Sequence, residues 1–332
     1  MNHDDLSRVL VDGSLTISDD EHTSFRDSTP RGLASVDDAD VVIVGAPFDV
    51  GTNKRYGTNE GPMAVRRGLS GLRSFSLELG VDIHEELKVV DIGNIDVTDF
   101  HGYEDTFRKL DGVLSWAYGA GKLPVVLGGD HSLAYRTIRS FAAAAEDPIG
   151  VIWIDNHFDC WPPFHGDPYF CGCPLRQVIL DEPRVDASRV VHIGARGFSN
   201  SAVSARNAFE LGFRWISCEE FRGLGVDAVV EECLAIAFKD VERVYMTVDI
   251  DVADVSFAPG TQTPRPGGLA SWDLMSLVRK LSLAGCSGFD LVEVASKPDV
   301  EDFTALLGAE VVLEFLGGQA ARAAGKGPAT RA

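Results

Sequence analysis

The chain has 332 residues, 45% hydrophobic and 24% charged, a balance that excludes wholesale disorder. Thirty Lys and Arg against fifty Asp and Glu give a formal net charge of −20, which argues against nucleic acid or an anionic membrane as a partner. No apolar run approaches the roughly 20 residues that span a bilayer, and the opening Met1 to Asp5 lacks the basic start of a signal peptide.

In chain order, residues 1–30 are polar and acidic without a persistent apolar period, and are expected to form an N-terminal extension. Short apolar runs then recur at Val41–Val44, Leu87–Val90, Pro124–Leu127, Val151–Ile154, Val190–Ile193, Phe213–Ile216, Val244–Val248 and Phe289–Val292. Each is too short for a helix, and several are apolar throughout, as in strands buried on both faces of a parallel sheet. Helical spacing appears from Phe107 through Leu110, Val113, Leu114 and Ala117, and again from Ser132, over Trp272–Leu283 and over Phe303–Phe315. Eight strands alternating with helices predict a three-layer α/β/α fold with an eight-stranded, mainly parallel sheet, a closed barrel being the rival. Residues 31–317 are expected to form one domain, and the Ala- and Gly-rich residues 318–332 a flexible tail. Cys160, Cys171, Cys173, Cys218, Cys233 and Cys286 are spaced neither as a disulfide framework nor as a structural zinc site, so the expected setting is a reducing cytoplasm.

Three segments follow predicted strands directly: Gly128-Gly129-Asp130-His131-Ser132, Asp155-Asn156-His157-Phe158-Asp159 and Asp249-Ile250-Asp251. In parallel α/β sheets, strand C-termini form the functional edge, so all three report to one place. Residues two apart in extended chain share a side, which lets Asp155, His157 and Asp159 converge, and likewise Asp249 and Asp251. Carboxylates crowded together without a cation repel and take up protons. With His131 and His157 they form instead an oxygen-rich site for two divalent ions, manganese by preference and nickel as an option. Such a pair can generate a hydroxide at neutral pH, a nucleophile for a planar electrophilic carbon.

These motifs together resemble the ureohydrolase (arginase/agmatinase) family. The same holds for Gly45-Ala46-Pro47-Phe48-Asp49, Ala258-Pro259-Gly260-Thr261, Gly267-Gly268-Leu269 and Val292-Glu293-Val294. The resemblance runs from about Val41 to Leu316. It implies a binuclear-metal amidinohydrolase, assembled as a homo-oligomer (trimer or hexamer), that splits a small cationic guanidino compound into urea and an amine. By similarity His131, Asp155, Asp159 and Asp249 would hold one metal, and His157, Asp155, Asp249 and Asp251 the other. Asp159 would orient the hydroxide, and Glu293 would receive the guanidinium through paired hydrogen bonds.

The chain departs from the family around the proton shuttle and the pocket mouth. His165-Gly166 matches the family's histidine but lies close behind Asp159, and an alternative alignment puts Cys171 at that position. That alignment, through Cys171-Gly172-Cys173-Pro174, resembles formimidoylglutamases and keeps open a formamide-releasing reaction on N-formimidoyl-glutamate. Asn156, Gln262 and Thr58-Asn59-Glu60 replace the usual residues, and Trp161, Phe164, Tyr169 and Phe170 offer aromatic walls for a flat or alkylated cation. A catalytically silent subunit has no use for all six ligands. A single-metal deacetylase site would not use both Asp249 and Asp251 beside His131.

Overall fold

Six-residue runs such as Val41–Ala46, Ile149–Ile154 and Val244–Asp249 carry no exposed residue, and this double-sided burial is what selects a central parallel sheet. The computed structural model describes residues 33–51, 56–97, 103–163 and 169–326, together with residues 6, 9–11 and 166. Its strands are β1 (Leu10–Val11), β2 (Val41–Ala46), β3 (Phe75–Ser76), β4 (Val81–Asp82), β5 (Val89–Ile95), β6 (Leu123–Gly128), β7 (Ile149–Ile154), β8 (Val185–Ala195), β9 (Arg214–Ser217), β10 (Val244–Asp249) and β11 (Cys286–Val292). The main sheet has the order β1-β5-β2-β6-β11-β10-β7-β8-β9, while β3 and β4 pair separately. Eight of its strands are parallel; β1 runs antiparallel to β5. The sheet is open, with β1 and β9 at its edges, so the barrel alternative falls away.

Alternate residues of each strand feed different cores. Val41, Ile43, Ile152, Ile154, Met246 and Val248 pack with helices Gly61–Ser70, Cys218–Ile236, Ser271–Ala284 and Phe303–Ala323. Val151, Trp153 and Tyr245 face helices Ala134–Ala143 and Pro174–Asp181 on the other side, and Val42, Val44 and Val126 face Tyr103–Gly119. At about 25 cal/mol per Å² of apolar surface, such cores supply the main favourable term in folding.

Two strands extend furthest beyond their predicted runs. β5 begins at Val89 because Leu87 ends the short helix Ile83–Glu86, and it continues through polar residues that Arg66 secures. The Arg66 guanidinium grips Asp91 at 2.7 and 2.8 Å and donates to Asn94 Oδ1 at 2.6 Å. β8 starts at Val185, its first half partly exposed and therefore without a continuous apolar signature.

The C-terminal end differs from the sequence reading, and the N-terminal end adds to it. Within the expected extension 1–30, Leu6 is buried and Leu10 and Val11 pair with Ile95 and Asn94, so part of it covers the β5 edge. The expected tail 318–332 is helical up to Ala323, in a helix that starts at Phe303 and buries Gly317, Gly318, Ala320 and Ala321. Small side chains here permit close packing: a Cβ on Gly318 would meet Ser282 at 2.6 Å. Phe303–Ala323 is long and apolar enough to cross a membrane, but two-thirds of its most apolar window (67%) is buried inside the fold.

Strand order also prepares the site. β6 and β7 follow one another in the chain, yet β11 and β10 lie between them in the sheet. Loops after these four neighbouring strands open on a crevice at one edge, where α/β sheets bind ligands.

Candidate metal centre

The loop after β6 begins with Gly129, where a Cβ would lie 1.6 Å from the Phe48 carbonyl oxygen; only glycine fits. Asp130 then ties the loop down, accepting from Ser132 N at 3.0 Å and from Gly51 N at 2.8 Å. This holds His131 at the start of a 3-10 turn, 1% exposed, its ring stacked on Trp153 at 4.4 Å. Its Nε2 lies 3.0 Å from Thr247 Oγ1. Its Nδ1 faces Asp155 Oδ2 at 3.0 Å, Asp159 Oδ2 at 3.1 Å and Asp249 Oδ2 at 3.4 Å.

The aspartates divide their oxygens between loop and centre. Asp155 Oδ1 accepts from His157 N at 2.6 Å, and the Trp153 indole donates to its Oδ2 at 3.1 Å. Asp249 caps the 3-10 turn Ile250–Val252 by accepting from Asp251 N at 2.7 Å. Asp251 Oδ2 accepts from Thr263 Oγ1 at 2.5 Å and faces His157 Nδ1 at 3.2 Å. β7 ends at Ile154, so residues 155–159 converge through a bend rather than an extended run, and Asp159 adopts a left-handed φ of 48°. Such backbone costs about 1–3 kcal/mol and marks functional sites.

Ligand atoms of Asp155, His157, Asp249 and Asp251 all lie within 4.8 Å of one another, as do those of His131, Asp155 and Asp159. The six residues named from the sequence thus meet in two overlapping groups that share Asp155. Burial disfavours charge throughout the cluster. It pushes the Asp249 carboxyl up, reinforced by Asp251 and Asp155, and raises Asp159, reinforced by Asp155. Burial also opposes the imidazolium forms, yet the surrounding carboxylates outweigh it and raise both His131 and His157. Asp155 stays ionised despite its burial because both imidazoles face it. Protons therefore stand where a cation would neutralise the cluster.

His131 Nδ1 supplies the test of fit: it is buried and close to three carboxylate oxygens, yet makes no directed hydrogen bond among the described residues. A nitrogen lone pair among oxygens is the donor set of a manganese-like divalent ion.

A cavity of about 90 Å³ opens beside these groups, its wall including Trp161, Phe170, Cys171, Asn200, Gln262 and Glu293. Glu293 is 4% exposed and holds a left-handed φ of 66°. Its Oε1 accepts from His131 N at 2.8 Å and its own N donates to Gly129 O at 2.8 Å, while Oε2 is buried without a partner among the described residues. Burial raises its carboxyl, with Asp249 and Asp130 adding to the effect. Trp161 and Phe170 both crowd Gly172, whose added Cβ would lie 3.2 and 2.7 Å from them. Tyr169 turns instead to Phe107, at 5.0 Å. Thr58–Glu60 forms a 3-10 turn whose Glu60 pairs with Lys297 at 3.4 Å, away from the cavity wall. Phe164 and His165 lie outside the described residues.

Four contributors escaped the sequence reading. Trp153 and Thr247 stand two residues before Asp155 and Asp249, on the same side of their strands, so period-two alternation contained the signal. Thr263 lies beside the Gln262 that was noticed. Asn200 carries no motif; it holds the bend by accepting from Phe158 N at 2.8 Å and donating to Asn156 O at 2.9 Å.

An open α/β sheet with two overlapping carboxylate–imidazole groups at its C-terminal edge defines a class of hydrolase scaffold whose donor groups could hold metal ions. Residues 39–317 match the model of the Arginase family, and the chain belongs to that family. It is 36% identical over 294 residues to proclavaminate amidinohydrolase from Streptomyces clavuligerus, covering 87% of this chain and 89% of that protein. It is also 36% identical over 277 residues to guanidinopropionase from Pseudomonas aeruginosa, covering 83% and 85%. A formiminoglutamase from Trypanosoma cruzi, solved with Mn²⁺, superposes with a TM-score of 0.78 at 26% identity, covering 85% of this chain and 94% of that one.

Proposed function

We propose that this chain is a cytoplasmic amidinohydrolase that uses two divalent ions, Mn²⁺ first, to split a small guanidino compound into urea and an amine. The observation that carries the reading is Glu293 Oε2, a buried carboxylate oxygen without a partner among the described residues, beside the candidate metal-ligand cluster. A guanidinium satisfies that oxygen with directed N–H donors and brings the positive charge that an acidic cavity lacks. His131, Asp155, Asp159 and Asp249 would hold one ion, and His157, Asp155, Asp249 and Asp251 the other. When bound, the ions neutralise the carboxylates and supply a water-derived nucleophile at neutral pH.

The chain's own groups do the rest. Glu293 fixes the plane of the guanidinium, its Oε1 remaining on His131 N. Asp159 orients the nucleophile and carries a proton on its carboxylate towards the departing amine, with His165 or Cys171 passing it on. Trp161 and Phe170 shield the cation from water and offer their ring faces to it. The six thiols, all free, accord with a reducing compartment.

Cys171 on the cavity wall favours one second reading, the formimino substrate with formamide as product. A product screen of the manganese- and nickel-loaded protein decides between them. The substrates are guanidine, alkylguanidines, agmatine, guanidinopropionate, guanidinobutyrate, arginine and N-formimidoyl-glutamate. Urea from a guanidino compound supports the first reading, formamide alone the second, and neither product from any compound contradicts both.

A further inference from the structure

Asp290 lies in the middle of β11, fully buried on the side of the sheet that faces helix Ala134–Ala143. Three hydroxyls converge on its carboxylate. Thr137 Oγ1 donates to Oδ2 at 2.6 Å, the Tyr245 hydroxyl donates to the same oxygen at 2.9 Å, and Thr247 Oγ1 donates to Oδ1. Thr137, Tyr245 and Thr247 are all fully buried, so no water competes for these bonds. A hydroxyl has one proton. Having given it to Asp290, Thr247 can only accept from its other neighbour, His131 Nε2, at 3.0 Å. The proton of a neutral His131 is thereby fixed on Nε2, and the Nδ1 lone pair turns to Asp155, Asp159 and Asp249.

We propose that Asp290, acting through Thr247, is a positioning residue that sets the tautomer of His131 and so prepares Nδ1 to ligate a divalent cation. The inference rests on the metal-centre reading and adds a relay that begins one strand away from the ligand. It also accounts for a carboxylate in the interior of a sheet: removing any link leaves a buried donor or acceptor unsatisfied.

Calorimetric titration of the whole protein with Mn²⁺ tests it. Thr247→Val keeps the shape and removes the hydroxyl, and is expected to bind at least one ion about 10–100-fold more weakly, the usual range for loss of a ligand's outer partner. Thr247→Ser retains the hydroxyl and should bind as the wild type does. Asp290→Asn weakens binding too, and the double variant Asp290→Asn/Thr247→Val binds no worse than Thr247→Val, because both break one relay. A purely packing role would not fix the decisive readout, ¹⁵N NMR of the histidine-labelled, metal-free wild type at a pH where His131 is neutral. His131, assigned by its loss in His131→Asn, should carry its proton on Nε2 and leave Nδ1 bare. A proton on Nδ1, or wild-type affinity in Thr247→Val, overturns the relay. Should the variants fail to fold, the wild-type tautomer alone decides. A wild type that binds no divalent ion contradicts the metal reading itself, which separates the two failures.

Discussion

Asp249 accepts the backbone N–H of Asp251 on Oδ1 at 2.7 Å, while its Oδ2 stands 3.4 Å from His131 Nδ1. One side chain thus caps its own loop and faces the candidate centre. Asp155 repeats the arrangement, with Oδ1 on His157 N and Oδ2 towards His131. Capping a loop and facing the candidate centre, which look like rival explanations for a strand-end aspartate, are thus compatible in one carboxylate.

Asp249→Asn tests this division. An asparagine oxygen still accepts from Asp251 N, so the loop keeps its turn. The negative charge proposed to serve both ions is lost. Bound metal should fall below one ion per chain and kcat/KM should drop more than about 100-fold, beyond the 10–100-fold typical of outer partners. The melting temperature of the metal-free protein should hardly change, since burial already holds Asp249 protonated there and the amide is neutral as well. Near-normal turnover with full metal content would remove Asp249 from the ligand set.

Metal uptake should release protons. Without a cation the carboxylates hold His131 and His157 protonated, and burial keeps a proton on Asp249; ligation requires all three to be lost. The sign follows: with proton-binding groups raised in the free protein, metal affinity rises as pH increases and falls on acidification. Titrations in two buffers of different ionisation enthalpy should show more than one proton released per chain. An affinity that does not change with pH would contradict the electrostatic description of the cluster.

Glu293→Gln should separate substrate binding from metal binding. The glutamine carbonyl can keep the bond from His131 N, which turns its NH₂ towards the cavity and the cationic substrate. The metal content should be unchanged. Loss of a hydrogen bond to a charged group costs about 1.5–3 kcal/mol, or roughly a 10–100-fold lower kcat/KM. Unaltered kinetics would free Glu293 from the role of guanidinium acceptor.

Gly318→Ala probes the C-terminal helix. In a frayed tail, alanine would stabilise the helix by about 1 kcal/mol through its propensity. Here its Cβ meets Ser282 at 2.6 Å and the Leu283 backbone nitrogen at 2.8 Å, and overpacking costs about 1–3 kcal/mol. Thermal denaturation should show a lower melting temperature; a higher one would mean that the helix does not pack as described.

The sheet was legible because its strands are apolar on both faces, and the carboxylate–imidazole cluster because Asp-x-His-x-Asp and Asp-x-Asp directly follow such strands. The grouping of Asp155, His157 and Asp159 came out correctly although its local cause differs: a bend with left-handed Asp159, held by Asn200, replaces the extended run. Asn200 could not be found in this way, since its contact with residues 156 and 158 exists only after β7 and β8 pair. Asp290 and Thr247 were hidden inside runs read as apolar core, where one polar residue does not disturb the pattern. The helix beyond Phe315 was missed because glycine and alanine read as breaks or frayed ends, whereas close packing on Ser271–Ala284 requires small residues there.

Anomalous diffraction from crystals of the manganese-loaded protein measures the central claim most directly. Two peaks are expected, one among His131 Nδ1, Asp155, Asp159 and Asp249, the other among His157, Asp155, Asp249 and Asp251. An absence of peaks there at saturating Mn²⁺, or peaks whose ligands lie elsewhere in the fold, would contradict it.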